Sequence, residues 1–284
     1  MSFRFLERCA LPGLLALLPL GTAVSQSPTA RPALSANDLV RAVVANELKP
    51  QDGNHVRWIY RVEREEQGKK KTKEVVQTSQ GSLDQLLAVD GKPLNVKAQQ
   101  DEGERIRNLA KNPAEQQRRE EAKKKDAKQC EAFFRMLPDA LTFIYAGRDG
   151  DLIKLSYRSN PSFQPPSREA RVFHEMEGEM WVHERQRRLV RIQGQLVADV
   201  KFGGGLLGYL EKGGHFSVEQ RELSPGQWDL TSMEVDMRGK ALFFKTIAVN
   251  EKEYRSDFRP VPDGLTLAEA ADMLTKRVTV AANR

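Results

Sequence analysis

The chain has 284 residues, 30% of them charged, with a formal net charge of +6 at pH 7. Basic and acidic residues are interspersed, so the small excess describes a mixed surface rather than a nucleic-acid-binding face, and it favours at most contact with anionic headgroups. The length is enough for one ordinary hydrophobic core.

Residues 1–25 read as a cleavable export signal. Arg4 and Arg8 form the charged start, and the apolar run from Ala10 to Leu20 is too short to span a bilayer. Ala23-Val24-Ser25 supplies a small-x-small cleavage site, and Pro12, Gly13, Pro19 and Gly21 argue against a buried helix. Cleavage removes Cys9, leaving Cys130 as the lone thiol, so an oxidising compartment forms no internal disulfide here. No His stands near Cys130 in the sequence to activate it as a nucleophile. The expected location is periplasmic, in soluble form.

Residues 26–34 form a proline-containing polar leader, expected to be disordered. Ser35 or Asn37 then caps a short helix with an apolar stripe of Leu39, Val40, Val43 and Val44, ending near Lys49-Pro50. His55 to Arg64 alternates as a half-buried strand. After a polar turn at 67–71, Lys73 to Leu83 and Gln85 to Val89 continue the meander, with Asp90-Gly91 as a hairpin turn.

Residues 101–129 are a charged, helix-forming stretch interrupted at Asn112-Pro113, which predicts two solvated helices. The second gains an apolar end at Phe133, Phe134, Met136 and Leu137, making a helical insertion over 101–137. From Leu141 the chain is strand-like again: 141–146, 152–158, 171–177, 178–184, 189–196, 215–222, 228–236 and 242–253. A last short helix is expected over 263–276, starting near Asp263 or Thr266, followed by a flexible tail at 277–284. Short, regularly spaced strands predict a single domain over 35–276: an α+β fold whose antiparallel meander closes into a strongly curved sheet.

This order of elements, together with the strand–turn–strand text Gly178-Glu179-Met180-Trp181-Val182-His183 and Arg188-Leu189-Val190-Arg191-Ile192-Gln193-Gly194, resembles the LolA/LolB-like family of periplasmic lipoprotein carriers. The resemblance implies a half-barrel whose apolar concave face, covered by a few helices, binds a lipid or lipoprotein acyl chain. Period-2 alternation nominates Trp58, Tyr60, Trp181, Leu189, Phe243 and Ile247 as inward, lipid-contacting positions. Any one of them taken alone is better explained as plain hydrophobic core. No residue of the family's functional set can be carried over position by position.

Gly203-Gly204-Gly205-Leu206-Leu207-Gly208 fits the spacing of a dinucleotide-binding loop, but Gly213-Gly214 follows too soon for the helix that must receive the pyrophosphate. Leu206, Leu207 and Tyr209 are instead a candidate apolar lip for a membrane surface or cargo. His174-Glu175 and His183-Glu184 lack the i, i+4 spacing of a zinc-protease helix, although an antiparallel pair of strands could bring the two histidines together. No catalytic, metal or cofactor site is expected. The expected function is a non-enzymatic carrier of an acyl chain. The alternative is an envelope regulatory protein, of the kind that binds an anti-sigma factor, contacting a protein partner through the helical insertion.

Overall fold

The computed structural model describes residues 34–49, 56–241 and 245–281. The export signal, the leader apart from Leu34, and Phe243 lie outside the described residues. Helix α1 (Ala36–Glu47) is capped by Ser35, whose side chain accepts from the Asp38 N–H. Its stripe of Leu39, Val40, Val43 and Val44 is buried as the 3.6-residue period requires.

The sheet begins with β1 (Trp58–Glu66), β2 (Lys69–Thr78), β3 (Gly81–Val89) and β4 (Lys92–Pro93). The β2–β3 break falls at Ser79-Gln80, where the Thr78 hydroxyl donates to the Gly81 carbonyl and accepts from the Gln80 N–H. Asp84, which the sequence reading placed at the break, is an interior residue of β3. Helices α2 (Val96–Ala110) and α3 (Pro113–Ala140) follow, parted where predicted, with Asn112 as N-cap and Pro113 in the first turn of α3. Together they run past 101–129 at both ends, from Val96 to Ala140, and the added end of α3 docks on the core through Phe133, Phe134 and Leu137.

Next come β5 (Leu141–Asp149), β6 (Leu152–Ser159), a short 3-10 helix at Glu169–Glu175, β7 (Met176–His183) and β8 (Arg188–Leu196). The 3-10 helix replaces the strand expected over 171–177: Ala170, Phe173 and Met176, three residues apart, all point into the core. Two three-residue strands, β9 (Val200–Phe202) and β10 (Gly208–Leu210), were too short to show a period. The chain ends with β11 (His215–Ser224), β12 (Gln227–Ala241), β13 (Lys245–Pro260) and helix α4 (Leu267–Ala281). A reciprocal capping box joins Thr266 and Glu269 at the start of α4. Among the described residues no helix is long and apolar enough to cross a membrane.

All thirteen strands form one open antiparallel sheet, so the fold is α+β. Its main path is β4-β3-β2-β1-β13-β12-β11-β8-β7-β6-β5, with β9 and β10 attached beside β12. Helices cover opposite faces at the two ends. Helix α1, the apolar end of α3 and the 3-10 helix pack on Phe143, Leu155, Met180, Ile192, Val218 and Met233; this is the α1 face. On the reverse, Ile59, Val76 and Leu83 are sealed by Ile106 and Leu109 of α2 and by Ala270, Ala271 and Leu274 of α4. β1 is therefore buried on both sides at Trp58–Tyr60, not half-buried as its alternation suggested.

One close approach fixes the register of β7 and β8. Gly178 and Gly194 face each other, and the Tyr157 hydroxyl fits over them to donate to the Gln193 carbonyl at 2.8 Å. A methyl group at Gly194 would meet that hydroxyl and, at 2.8 Å, the Phe216 ring.

Candidate functional site

A single cross-strand row displays the chemistry of the α1 face. It runs Leu155, Met180, Ile192, Val218, Met233, Glu253, Arg64, each paired with the next on the adjoining strand. Cross-strand partners share a face. The row is apolar from β6 to β12 and then becomes charged at β13 and β1.

The charged part is a buried ion-pair cluster. Arg255 Nε donates to Glu253 Oε1 at 2.7 Å, and Arg255 Nη1 lies 3.3 Å from Asp229 Oδ1. Arg64 pairs with Glu251, and at 3.5 Å with the second oxygen of Glu253. The Arg255 guanidinium stands 5.6 Å from the centre of the Tyr60 ring. Burial works against the charge of Arg255, but Tyr60, Glu253 and Asp229 outweigh it and hold the pKa above its ordinary value. Buried charges survive only when paired in this way. The sequence reading missed the cluster, although Arg64 stands at the same parity as Trp58, Tyr60 and Val62.

Of the nominated contacts, Trp58 and Tyr60 are buried on the α1 face beside the cluster, with Phe258 stacked 5.1 Å from Tyr60 and edge-on to Trp58 at 6.3 Å. Leu189 is buried beneath α1, and its N–H donates to Glu47 Oε1 at 2.9 Å. Trp181 is not inward. It lies in a row of Lys154, Trp181, Arg191 and Glu219 on the reverse face, with cations 5.2 and 5.3 Å from its ring centre. Met180 and Val182 take the inward parity instead, and a register shift between Trp181 and Val182 breaks the alternation that linked Trp181 to Leu189. Ile247 pairs with Gly239, and its side chain lies outside what is described.

The expected apolar hollow is thus partly filled by α1 and the aromatic stack of Phe133 on Phe173 (4.2 Å), and partly replaced by ion pairs. Phe216 and Val235 pack on the same core but stay only partly covered. Two shallow, open depressions lie elsewhere: about 500 Å³ between α2, α3 and α4, and about 510 Å³ along α3. Leu206 projects into solvent, Leu207 folds back over Gly203, and strand β10 rather than a helix follows the glycine loop. His174 lies in the 3-10 helix that precedes β7 and His183 at the far end of β7, so the length of that strand separates the two. Among the described residues no group of three or more His, Cys, Asp or Glu side chains could hold one.

No protein-family model matches this chain, and no significant match was found among the curated proteins or the solved structures.

Proposed function

We propose that this protein is an exported, non-enzymatic carrier for an amphipathic, lipid-class ligand, as the LolA/LolB-like resemblance implies. The apolar part of the ligand would lie between α3 and the α1 face, and its polar end beside the Arg64–Glu253–Arg255 cluster. The observation that carries the reading is the path of α3. Its Lys123 Nζ donates to Ser82 Oγ on β3 at 2.7 Å, whereas Leu137 and Ala140 are buried at β5. Lys123 to Ala140 spans about 26 Å of helix. The nine steps from β3 to β5 would span about 43 Å if the sheet were flat. A sheet bent toward α3 reconciles the two lengths, with α3 as the chord of a half-barrel. Register shifts at Ile59/Arg61, Glu219/Gln220 and Trp181/Val182 supply local bending.

Loading then requires α3 to lift from Phe173 and expose Phe216 and Val235. Each methylene of an acyl chain buried there contributes about 0.8 kcal/mol. Native mass spectrometry of the purified chain with a palmitoylated peptide or a diacyl phospholipid should show a one-to-one adduct. Finding none at any ratio overturns the carrier reading. A protein partner is favoured by one feature, the exposed Lys124, Lys125 and Lys128 in the middle of α3. Reversing those three charges should abolish capture of such a partner and leave the lipid adduct intact.

A further inference from the structure

We infer that the β9–β10 hairpin is the contact point for an anionic lipid surface, with Leu206 as its apolar tip and Lys201 and Lys240 as its headgroup-binding cations. The inference deepens the carrier reading by giving it a place of membrane contact, but it needs no bound cargo.

The loop holds one leucine away from the protein by construction. Gly203, Gly204 and Gly205 have φ of +58°, +67° and +94°, left-handed conformations that side chains rarely adopt. The turn closes through Leu206 N–H to the Gly203 carbonyl and Leu207 N–H to the Phe202 carbonyl, both 3.1 Å. Leu207 then packs back so tightly that a Cβ on Gly203 would stand 2.7 Å from its Cγ. Leu206 is left 84% exposed. The base is firm: Val200 and Leu210 are buried with Leu196, and Phe202 and Met237 pack against them.

The other face of the hairpin is basic and aromatic. Tyr209 pairs with Lys201 on β9 and with Lys240 on β12, so the three side chains form one row, a half-buried ring between two exposed ammonium groups. Other rows of the sheet set some cations against carboxylates: Lys154 on Glu179, Arg191 on Glu219, and Lys252 on Glu234. Among the described residues Lys201 and Lys240 make no ion pair with an Asp or Glu.

That arrangement matches the profile of an anionic bilayer surface. A leucine suits the acyl boundary, a tyrosine ring the headgroup level, and lysines the phosphates. A protein partner would have to bury an apolar tip and neutralise two ammonium groups at once. Two exposed lysines with no Asp or Glu partner among the described residues favour the lipid.

Co-sedimentation of the purified chain with vesicles tests this. Binding to mixed phosphatidylglycerol–phosphatidylcholine vesicles should exceed binding to pure phosphatidylcholine and should weaken as salt rises. Leu206→Asp should reduce it about ten-fold or more, and Lys201→Glu with Lys240→Glu should reduce it about five-fold per site. Leu206→Asp should melt with the parent, since the side chain is exposed. Equal binding to both vesicle types, no binding to either, or variants that bind like the parent would each overturn the inference. An adduct with the palmitoylated peptide is read independently, so loss of one result leaves the other standing.

Discussion

Glu47 and Asp84 are both largely buried carboxylates facing arginine, yet their environments move them in opposite directions. Burial is the largest influence on Glu47 and raises its pKa above 4.5, despite Arg188 at 3.3 Å and the Leu189 N–H. Burial also pushes Asp84 upward, but the Lys73 ammonium and the Arg105 and Arg119 guanidiniums more than offset it, and its pKa falls below 3.8. Linkage gives the signs. A raised folded pKa means that the contribution of Glu47 is complete below about 4.5 and is lost as pH rises through the raised value. The contribution of Asp84 is present above 3.8 and is lost as pH falls through the lowered one. Denaturant titrations across acid to neutral pH should therefore show parent-minus-Glu47→Gln stability declining as pH rises from about 4.5. Parent-minus-Asp84→Asn stability should hold on that side and disappear only at lower pH. A pH-independent difference for both variants would show that neither carboxylate titrates between the folded and unfolded states as assigned.

Helix α3 is two helices in its energetics. Gln116, Arg119 and Lys123 dock its first half by polar contacts to α2 and β3, whereas Phe133, Phe134 and Leu137 dock its second half on the apolar core. Phe133→Ala removes the stack on Phe173 and should cost about 2 kcal/mol for a partly buried ring. Hydrogen exchange should then quicken along 121–140 while α2, held by α4 and β3, keeps its protection. Equal acceleration in α2 would mean that the insertion opens as one unit and that α3 is not an independent cover. The Asn112-Pro113 break between the two helices was legible because cap and proline act within four residues. The docking face of α3 was not, because Asp84 and Ser82 lie 35 and 41 positions from their partners Arg119 and Lys123. Trp181 misled for a related reason. Alternation offers two parities, bulk favoured the wrong one, and only the rows formed by neighbouring strands decide between Met180 and Trp181.

An open sheet leaves two edges, and each is capped by side chains from a helix. At one, Glu102 Oε1 of α2 accepts from the Leu86 N–H at 2.6 Å, and Arg105 donates to the Asp84 carbonyl at 2.6 Å. At the other, Asn37 of α1 accepts from the Phe143 N–H and donates to the Leu141 carbonyl, both at 2.9 Å, and reaches the Pro138 carbonyl at 2.7 Å. Beyond Phe143 no strand pairs with this edge among the described residues: Ile144 is 62% exposed, the Tyr145 hydroxyl donates to the Leu34 carbonyl, and the register shift before Gly147 and the charges of Arg148 and Asp149 blunt the rest. The same asparagine therefore seats α1 and ends the free edge. Asn37→Ala should destabilise the fold by about 2–3 kcal/mol through unsatisfied backbone groups. It should also extend the free edge back to Leu141, so light scattering after size exclusion should show concentration-dependent self-association. Adding Ile144→Lys should restore the monomer without restoring stability, because a charge on an edge strand blocks pairing and cannot replace the lost hydrogen bonds. A monomeric Asn37→Ala at all concentrations would mean that the charges and register shift near the tip protect this edge by themselves.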